Sequence, residues 1–421
     1  MDQMVLERRD TPGLIVLCGG LSTRMGTDKA SLPWHDGTLL THRLRCGAAE
    51  GFAEIIIATN KAPDLRTLPG MLVEAHPLAE GGAGRRVLSS DELQAVPVNT
   101  TYEWEVTPKQ SVILRLVSDV HAQCGPLSGL EAGLTVGTHE SYRVLAVDMP
   151  FYVEPAEVPY HLLRALPGQT TPSCIIPRIN GQLQPLAGLY SKRCLSAVTL
   201  LLNRGDFKLR NLYELVATQF WDDDDRQYLY MNMNTPAHYQ QVKAIDALRQ
   251  REKPIISVVA SRSKTGKTVV VEGLIKALKE YGVTVGLVKS DGHGFTMDTA
   301  GTDTARATAA GASAVAIAGP NGYAIIDQGV RIDDLTELAN RLSADVVLVE
   351  TRSRGVVPII EVVRDQHTKE FITPSGDLWA VVGDKSSWPN NPAVLTFTFD
   401  EITELAKHMY EELLVPAVAL R

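Results

Sequence analysis

Twice along 421 residues a short apolar run breaks directly into a glycine-bearing turn crowded with hydroxyls and cations. The first run is Leu14–Leu17, followed by Cys18-Gly19-Gly20-Leu21-Ser22-Thr23-Arg24-Met25-Gly26-Thr27-Asp28-Lys29. The second is IISVVA, beginning at Ile255 and followed by Ser261-Arg262-Ser263-Lys264-Thr265-Gly266-Lys267-Thr268. Glycine lets the backbone turn sharply and aim its N–H groups at a bound anion. Serine, threonine, arginine and lysine add donors and charge. Two such loops point to two phosphate-binding sites on two domains of one chain.

The remaining pattern agrees. Apolar runs at Leu14–Leu17, Glu54–Thr59, Ser111–Val117 and Tyr142–Val147 alternate with helical stretches near Leu39–Gly51 and Gly129–Val136. That alternation predicts an α/β fold, a parallel sheet with helices on both faces. The stretch from about Glu74 to Gln110 breaks the rhythm and reads as an insertion or a long surface excursion. Ala244–Lys253 reads as the end of a charged helix running into a linker. After Pro254 the pattern restarts with a strand, a helix over Val269–Tyr281 and a strand over Val283–Lys289. The expected domains are 1–245, with an insertion at about 74–110, and 254–421.

Composition removes several function classes. The 41 lysines and arginines stand against 49 aspartates and glutamates, a net charge of −8, which argues against a general nucleic-acid coat. No apolar run approaches the ~18 residues that would suggest a membrane span, so no membrane partner is expected. The N-terminal MDQMVLERRDTPG carries acids and does not read as a signal peptide. Cys18, Cys46, Cys124, Cys174 and Cys194 form no CxxC pair and read as reduced thiols, which makes the cytoplasm the expected compartment.

Single residues then acquire roles. Asp148 ends the apolar run VLAVD, and a carboxylate beyond a strand's carboxyl end can hold Mg²⁺ between phosphate oxygens. The acids Asp222–Asp225 read as a solvated turn, because four adjacent like charges repel. Gly266-Lys267-Thr268 matches a P-loop ending, whose lysine reaches the β/γ-phosphates and whose threonine reaches Mg²⁺. Ser261 stands where the first glycine is usual, and Lys264 is bulky for such a loop.

The first loop resembles the L-A-G-G-x-S-x-R-M-G-x-D-K signature of molybdenum cofactor guanylyltransferases (MobA-like enzymes), with Cys18 for alanine. Asn60, Gly125-Pro126-Leu127-Ser128-Gly129, Val147-Asp148-Met149-Pro150-Phe151, Gln184-Pro185-Leu186 and Asn232-Met233-Asn234-Thr235-Pro236 resemble later motifs of that family. The resemblance implies a Rossmann-like nucleotidyltransferase (GT-A-like) domain that transfers GMP from GTP to molybdopterin. The products would be molybdopterin guanine dinucleotide and pyrophosphate. It implies catalytic roles for Arg24, Lys29 and Asp148, and a nucleotide site of Leu17, Cys18, Gly19, Gly20, Lys29, Asn60, Asp119 and Asp148, with Mg²⁺ on Asp148.

The second half resembles the molybdopterin-guanine dinucleotide adapter family (MobB-like). The resemblance rests on the P-loop, Lys289, His293, Asp298, Gly301-Thr302-Asp303-Thr304, Ala310-Gly311-Ala312 and Val346–Glu350. Departures are Ser290 for histidine, Thr302 for lysine and Thr351 for glycine. This implies a P-loop NTPase-like α/β domain that binds GTP through Gly266, Lys267 and Thr268. Thr268 and Glu350 are its candidate Mg²⁺ ligands. Implied partners are GTP, molybdopterin, other molybdenum cofactor biosynthesis proteins and acceptor molybdoenzymes. Two alternatives stay open: a cytidylyl- or sugar-nucleotidyltransferase on the same fold, and a non-catalytic GTP-binding cofactor carrier.

Overall fold

The computed structural model describes all residues except 1–11, 19–24, 75–85, 120, 122–123, 154–170, 291–298, 300, 328–333, 353–354 and 365–370. The chain forms two compact units, Met1–Pro236 and Ala237–Arg421. Among the described residues, no helix is long and apolar enough to cross a membrane.

The first unit contains strands β1 (Gly13–Leu17), β2 (Pro33–Trp34), β3 (Gly37–Thr38), β4 (Glu54–Ala58), β5 (Met71–Glu74) and β6 (Thr100–Thr107). It continues with β7 (Gln110–Val117), β8 (Ser141–Ala146), β9 (Cys174–Ile179), β10 (Gln182–Leu183), β11 (Leu189–Ser191) and β12 (Thr218–Asp222). Its main sheet runs β10-β9-β11-β8-β1-β4-β7-β6-β5, with β12 beside β9. The four central strands β8, β1, β4 and β7 are parallel, as the alternation predicts. Antiparallel strands extend both flanks.

Strands β1 and β4 are buried along their whole length, which suits continuous apolar runs at the centre of a parallel sheet. Successive side chains of β1 serve opposite faces. Leu14 meets the helix Leu39–Ala49, and Ile15 and Leu17 meet the helix Pro126–Val136. Glycines permit this approach: a Cβ on Gly133 would lie 2.7 Å from Ile15 Cδ1, and one on Gly129 2.8 Å from Leu17 Cδ2.

Part of the segment expected to be a surface excursion is sheet. Strand β6 pairs antiparallel with β7 and buries Tyr102 and Trp104 completely enough to make them core residues. Its eight residues, TTYEWEVT, alternate outward threonines and acids with inward Tyr102 and Trp104, the period-2 signature of a half-buried strand, so the signal was present in the sequence. The acids Asp222–Asp225 also differ from the expected solvated turn. Asp223 is buried and accepts from Tyr230 Oη and Arg226 Nε, each at 2.6 Å, while Asp222 pairs with Arg178. Burial with two donors makes Asp223 a structural carboxylate.

The second unit contains β13 (Ile255–Val259), β14 (Val285–Lys289), β15 (Ala314–Gly319), β16 (Gly322–Asp327), β17 (Val346–Thr351), β18 (Ile359–Val363), β19 (Leu378–Gly383) and β20 (Leu395–Phe397). Its six-stranded sheet, β14-β17-β13-β18-β19-β20, is parallel throughout. Strands β15 and β16 form a separate hairpin. The helix Pro236–Arg249 packs within this unit: Gln241 donates to Glu412 O, Lys243 to Gly376 O, and Arg421 to Leu248 O. The unit division falls after Pro236, the first residue of that helix, upstream of the linker expected near Ala244–Lys253.

One buried charge ties the first sheet together. Glu54, on fully buried β4, accepts from Arg115 Nε at 2.7 Å, Tyr142 Oη at 2.6 Å and Thr138 N at 3.0 Å. Burial pushes its carboxyl up, but the hydrogen bonds from Tyr142, Arg115 and Thr138 outweigh that and hold it below the ordinary value. Such a group stabilises the fold fully above its unfolded value of ~4.3, and the stabilisation fades as pH falls through the lower folded value. Glu54→Gln is expected to cost about 3 kcal/mol at pH 7, the low end for breaking a buried pair. Below about pH 5 the wild type should lose stability faster than the variant. Hydrogen-exchange protection of β1 and β4 across that pH range checks both, and parallel pH profiles would reject the ionised role.

Candidate functional site

In the first unit four strand ends deliver the named residues to one edge. Cys18 follows β1, Asn60 follows β4, Asp119 follows β7 and Asp148 follows β8. Because these strands are parallel neighbours, their carboxyl ends open on the same crevice, where ligands bind in open α/β sheets. Lys29 comes from a short turn of helix, Lys29–Ser31, capped by the Asp28 side chain. Its Nζ donates to Asp148 Oδ2 at 2.5 Å and to Asn234 Oδ1 at 2.7 Å. Asn234 Nδ2 in turn donates to Asn232 Oδ1 at 2.7 Å, and the Met233 N–H donates to Asp148 O at 3.1 Å. The Asn232–Asn234 stretch thus braces both members of the ion pair.

Asn60 and Asp119 form a second pair across the ends of β4 and β7. Asn60 Nδ2 donates to Asp119 Oδ2 at 3.1 Å, and the Asp119 N–H donates back to Asn60 Oδ1 at 2.9 Å. Burial raises the Asp119 carboxyl above its ordinary value, against the Asn60 hydrogen bond, which lowers it. Leu17 and Cys18 lie at the carboxyl end of β1. The Cys18 N–H is spent on Ala58 O at 2.9 Å, and Leu17 O accepts from Val147 N at 3.1 Å. Burial, then the negative charges of Asp28 and Asp148, push the Cys18 thiol well up, so it stays protonated. Gly19, Gly20 and Arg24 lie outside the described residues, as do His293 and Asp298 of the second unit.

In the second unit the loop after β13 leads into the helix Lys267–Glu280, with Gly266 at φ +106° and Lys264 at φ +63°. Lys267 is buried, and its Nζ donates to Arg262 O at 3.2 Å. Burial lowers its ammonium below the ordinary value, opposed by Glu350 and reinforced by Arg352 and Lys289. Thr268 Oγ1 donates to Glu350 Oε1 at 3.3 Å, which brings the two candidate Mg²⁺ ligands together. A cleft of about 440 Å³ opens here, and among the described residues its lining sets Lys264, Lys267, Lys289, Arg352 and Arg364 against the single acid Glu350. Such a lining suits a polyanion.

The family description of a MobA-like NTP transferase domain fits residues 14–90 and 82–222, and that of molybdopterin guanine dinucleotide synthesis protein B, MobB, fits residues 255–384. The chain joins a MobA-like NTP transferase domain to a MobB domain. It is similar to a probable molybdenum cofactor guanylyltransferase of Pelotomaculum thermopropionicum, 27% identical over 259 residues, covering 60% of this chain and 95% of that protein. A molybdenum cofactor guanylyltransferase of Vibrio vulnificus is 29% identical over 123 residues, covering 29% of this chain and 61% of its own length. The solved structure of Bacillus subtilis MobB is 24% identical with a TM-score of 0.32, covering 38% of this chain and 97% of that one.

Sequence reasoning named the Asn232–Pro236 motif but not the contact of Asn234 with Lys29. It missed Arg352 and Arg364 of the MobB domain altogether. Arg364 directly follows the apolar run IIEVV, the same strand-end position that singled out Asp148, so the signal was available. In the MobA-like domain, Asn60→Leu is expected to raise the Asp119 carboxyl further, because it removes the donor that favours the ionised form. Carbon-13 titration of the Asp119 carboxyl checks this; an unchanged or lowered value would reject the pairing.

Proposed function

We propose that the MobA-like domain transfers GMP from GTP to molybdopterin, giving molybdopterin guanine dinucleotide and pyrophosphate, while the MobB domain binds GTP and assists. The observation that carries this is the Lys29–Asp148 pair, 2.5 Å apart beyond the ends of β1 and β8 and braced by Asn234. The guanylyltransferases among the relatives support molybdopterin as acceptor and GTP as donor.

An oxygen of the molybdopterin terminal phosphate attacks the α-phosphorus of GTP. One O–P bond forms, the bond from that phosphorus to the bridging oxygen breaks, and the electron pair leaves with pyrophosphate. Such transfer needs positioning and charge neutralisation more than a covalent nucleophile. Lys29 meets the departing phosphates, with Arg24 as a second cation. Asn60 and Asp119 hold the nucleoside, and Leu17 and Cys18 floor the site.

The donor set fits a magnesium ion. Mg²⁺ takes one or two carboxylates and completes its shell with water and substrate phosphates. Asp148 is such a carboxylate, and among the described residues no trio of acids, histidines or cysteines forms a dedicated cage. A bound ion would neutralise phosphate charge. In the MobB domain Thr268 and Glu350 would hold a second one. Downstream partners are other molybdenum cofactor biosynthesis proteins and acceptor molybdoenzymes, met in the cytoplasm.

The full chain should release pyrophosphate and form a dinucleotide, detected by mass spectrometry, with Mg²⁺, molybdopterin and GTP. ATP, CTP and UTP should give none. Product with CTP in place of GTP, or none with GTP, would overturn the reading. Asp148→Asn is expected to slow transfer by about 10²–10³, the loss typical of one preorganised electrostatic group. Turnover within threefold of wild type would remove Asp148 from the chemistry.

A further inference from the structure

We propose that Arg364 binds the terminal phosphates of the nucleotide in the P-loop cleft of the MobB domain, and that Phe399 positions it for this. The inference rests on the proposed reading of that cleft as a nucleotide site.

Arg364 is the first residue beyond β18, the strand beside β13, so it emerges next to the phosphate loop at the carboxyl edge of the sheet. It lines the cleft together with Lys264, Lys267 and Thr268. Its guanidinium carbon lies 4.4 Å from the centroid of the Phe399 ring. Its Nε is buried and finds no hydrogen-bond acceptor among the described residues. A buried donor on a charged group without an acceptor is costly and calls for an explanation. Among the described residues, Glu350 is the single carboxylate lining the cleft, and it already accepts from Thr268. An anionic ligand in the cleft would meet the guanidinium on its cleft-lining side and offset its charge.

The stacking explains why this residue is an arginine. A guanidinium lying on a ring keeps its edge free, and that edge presents a planar fork matched to phosphate oxygens. A lysine has neither the plane nor the fork. The ring is itself fixed on two sides. A Cβ on Gly266 would stand 2.7 Å from Phe399 Cε1, so the ring backs directly onto the left-handed glycine of the P-loop. The preceding turn is pinned by Glu401, whose Oε2 accepts from Thr398 N at 2.7 Å and from Thr398 Oγ1 at 2.9 Å. Arg364 and the loop thus share one aromatic support, and the guanidinium is stationed relative to the loop before any ligand binds. Such preorganisation lets the cation add affinity without the entropy of ordering a long side chain.

The test follows GTP-dependent hydrogen-exchange protection of the peptide 260–270 in the full chain, which reads this cleft separately from the MobA-like site. The wild type should be protected in proportion to GTP. Arg364→Met, which keeps an apolar stem against Phe399, should raise the half-protecting GTP concentration roughly ten- to a hundredfold, the cost of about one charged hydrogen-bonding contact. Arg364→Lys keeps the charge and should bind at least threefold tighter than Arg364→Met. Unchanged exchange in β13 and β18 without nucleotide shows that the variants are folded. Equal affinities of wild type and Arg364→Met, or of the two variants, would overturn the proposal while leaving the nucleotide site standing. A wild type with no protection at 260–270 would overturn the nucleotide reading itself, and this proposal with it.

Discussion

Complete burial of β1 between β4 and β8 is the constraint from which the first site follows. A one-residue slip of β1 would exchange its two faces, setting Leu14 against the helix Pro126–Val136 and Ile15 and Leu17 against the helix Leu39–Ala49, so packing on both sides holds its register. The helices packed on it through Gly47, Gly129 and Gly133 remove the remaining play. With register set, Cys18, Asn60, Asp119 and Asp148 must all leave the sheet at one edge. Glu54 contributes to the same end, because its buried carboxylate joins β4 to β7 through Arg115 and to β8 through Tyr142.

Electrostatics then separates the two sites. In the MobA-like domain, charges are paired in advance: Lys29 with Asp148, and Asp119 with the Asn60 amide. In the MobB domain the balance is broken: among the described residues, five cations face one acid around the cleft. Burial and neighbouring cations already depress the Lys267 ammonium. A polyanion would relieve that repulsion, which is why the strand end carrying Arg364 stands out. On the proposed function, the two halves would meet phosphate by different physical routes from the same architectural rule, ligand at the carboxyl ends of parallel strands.

Much of this was legible along the chain. The apolar runs at 14–17, 54–59, 111–117 and 142–147 gave the parallel core, because strands buried on both faces read as continuous hydrophobic stretches. The glycine loop and the P-loop were visible because their chemistry needs special residues at fixed spacing. Strand β6 carried a period-2 signal, but the prolines and glycines in the residues before it made the segment read as an excursion. Its pairing with β7, through a tight turn at Pro108-Lys109, is a tertiary fact that the alternation alone does not give. Asp223 was misread for a similar reason: a run of four acids says nothing about which of them faces Tyr230.

Local chemistry is written in the chain itself: which residues can turn, which strands are fully buried, and which loops offer donors to phosphate. The sequence by itself therefore determined the two-domain α/β class and nominated Lys29, Asp148, Asn60, Asp119, Lys267, Thr268 and Glu350. Only the tertiary structure decided which of them meet. Lys29 and Asp148 are 119 positions apart, and Thr268 and Glu350 are 82 apart. Arg364 gained its place through a ring 35 positions away, a separation that follows from 399 − 364. Such contacts arise from the order of strands in a sheet, which depends on how helices and crossovers pack. No local spacing encodes that order.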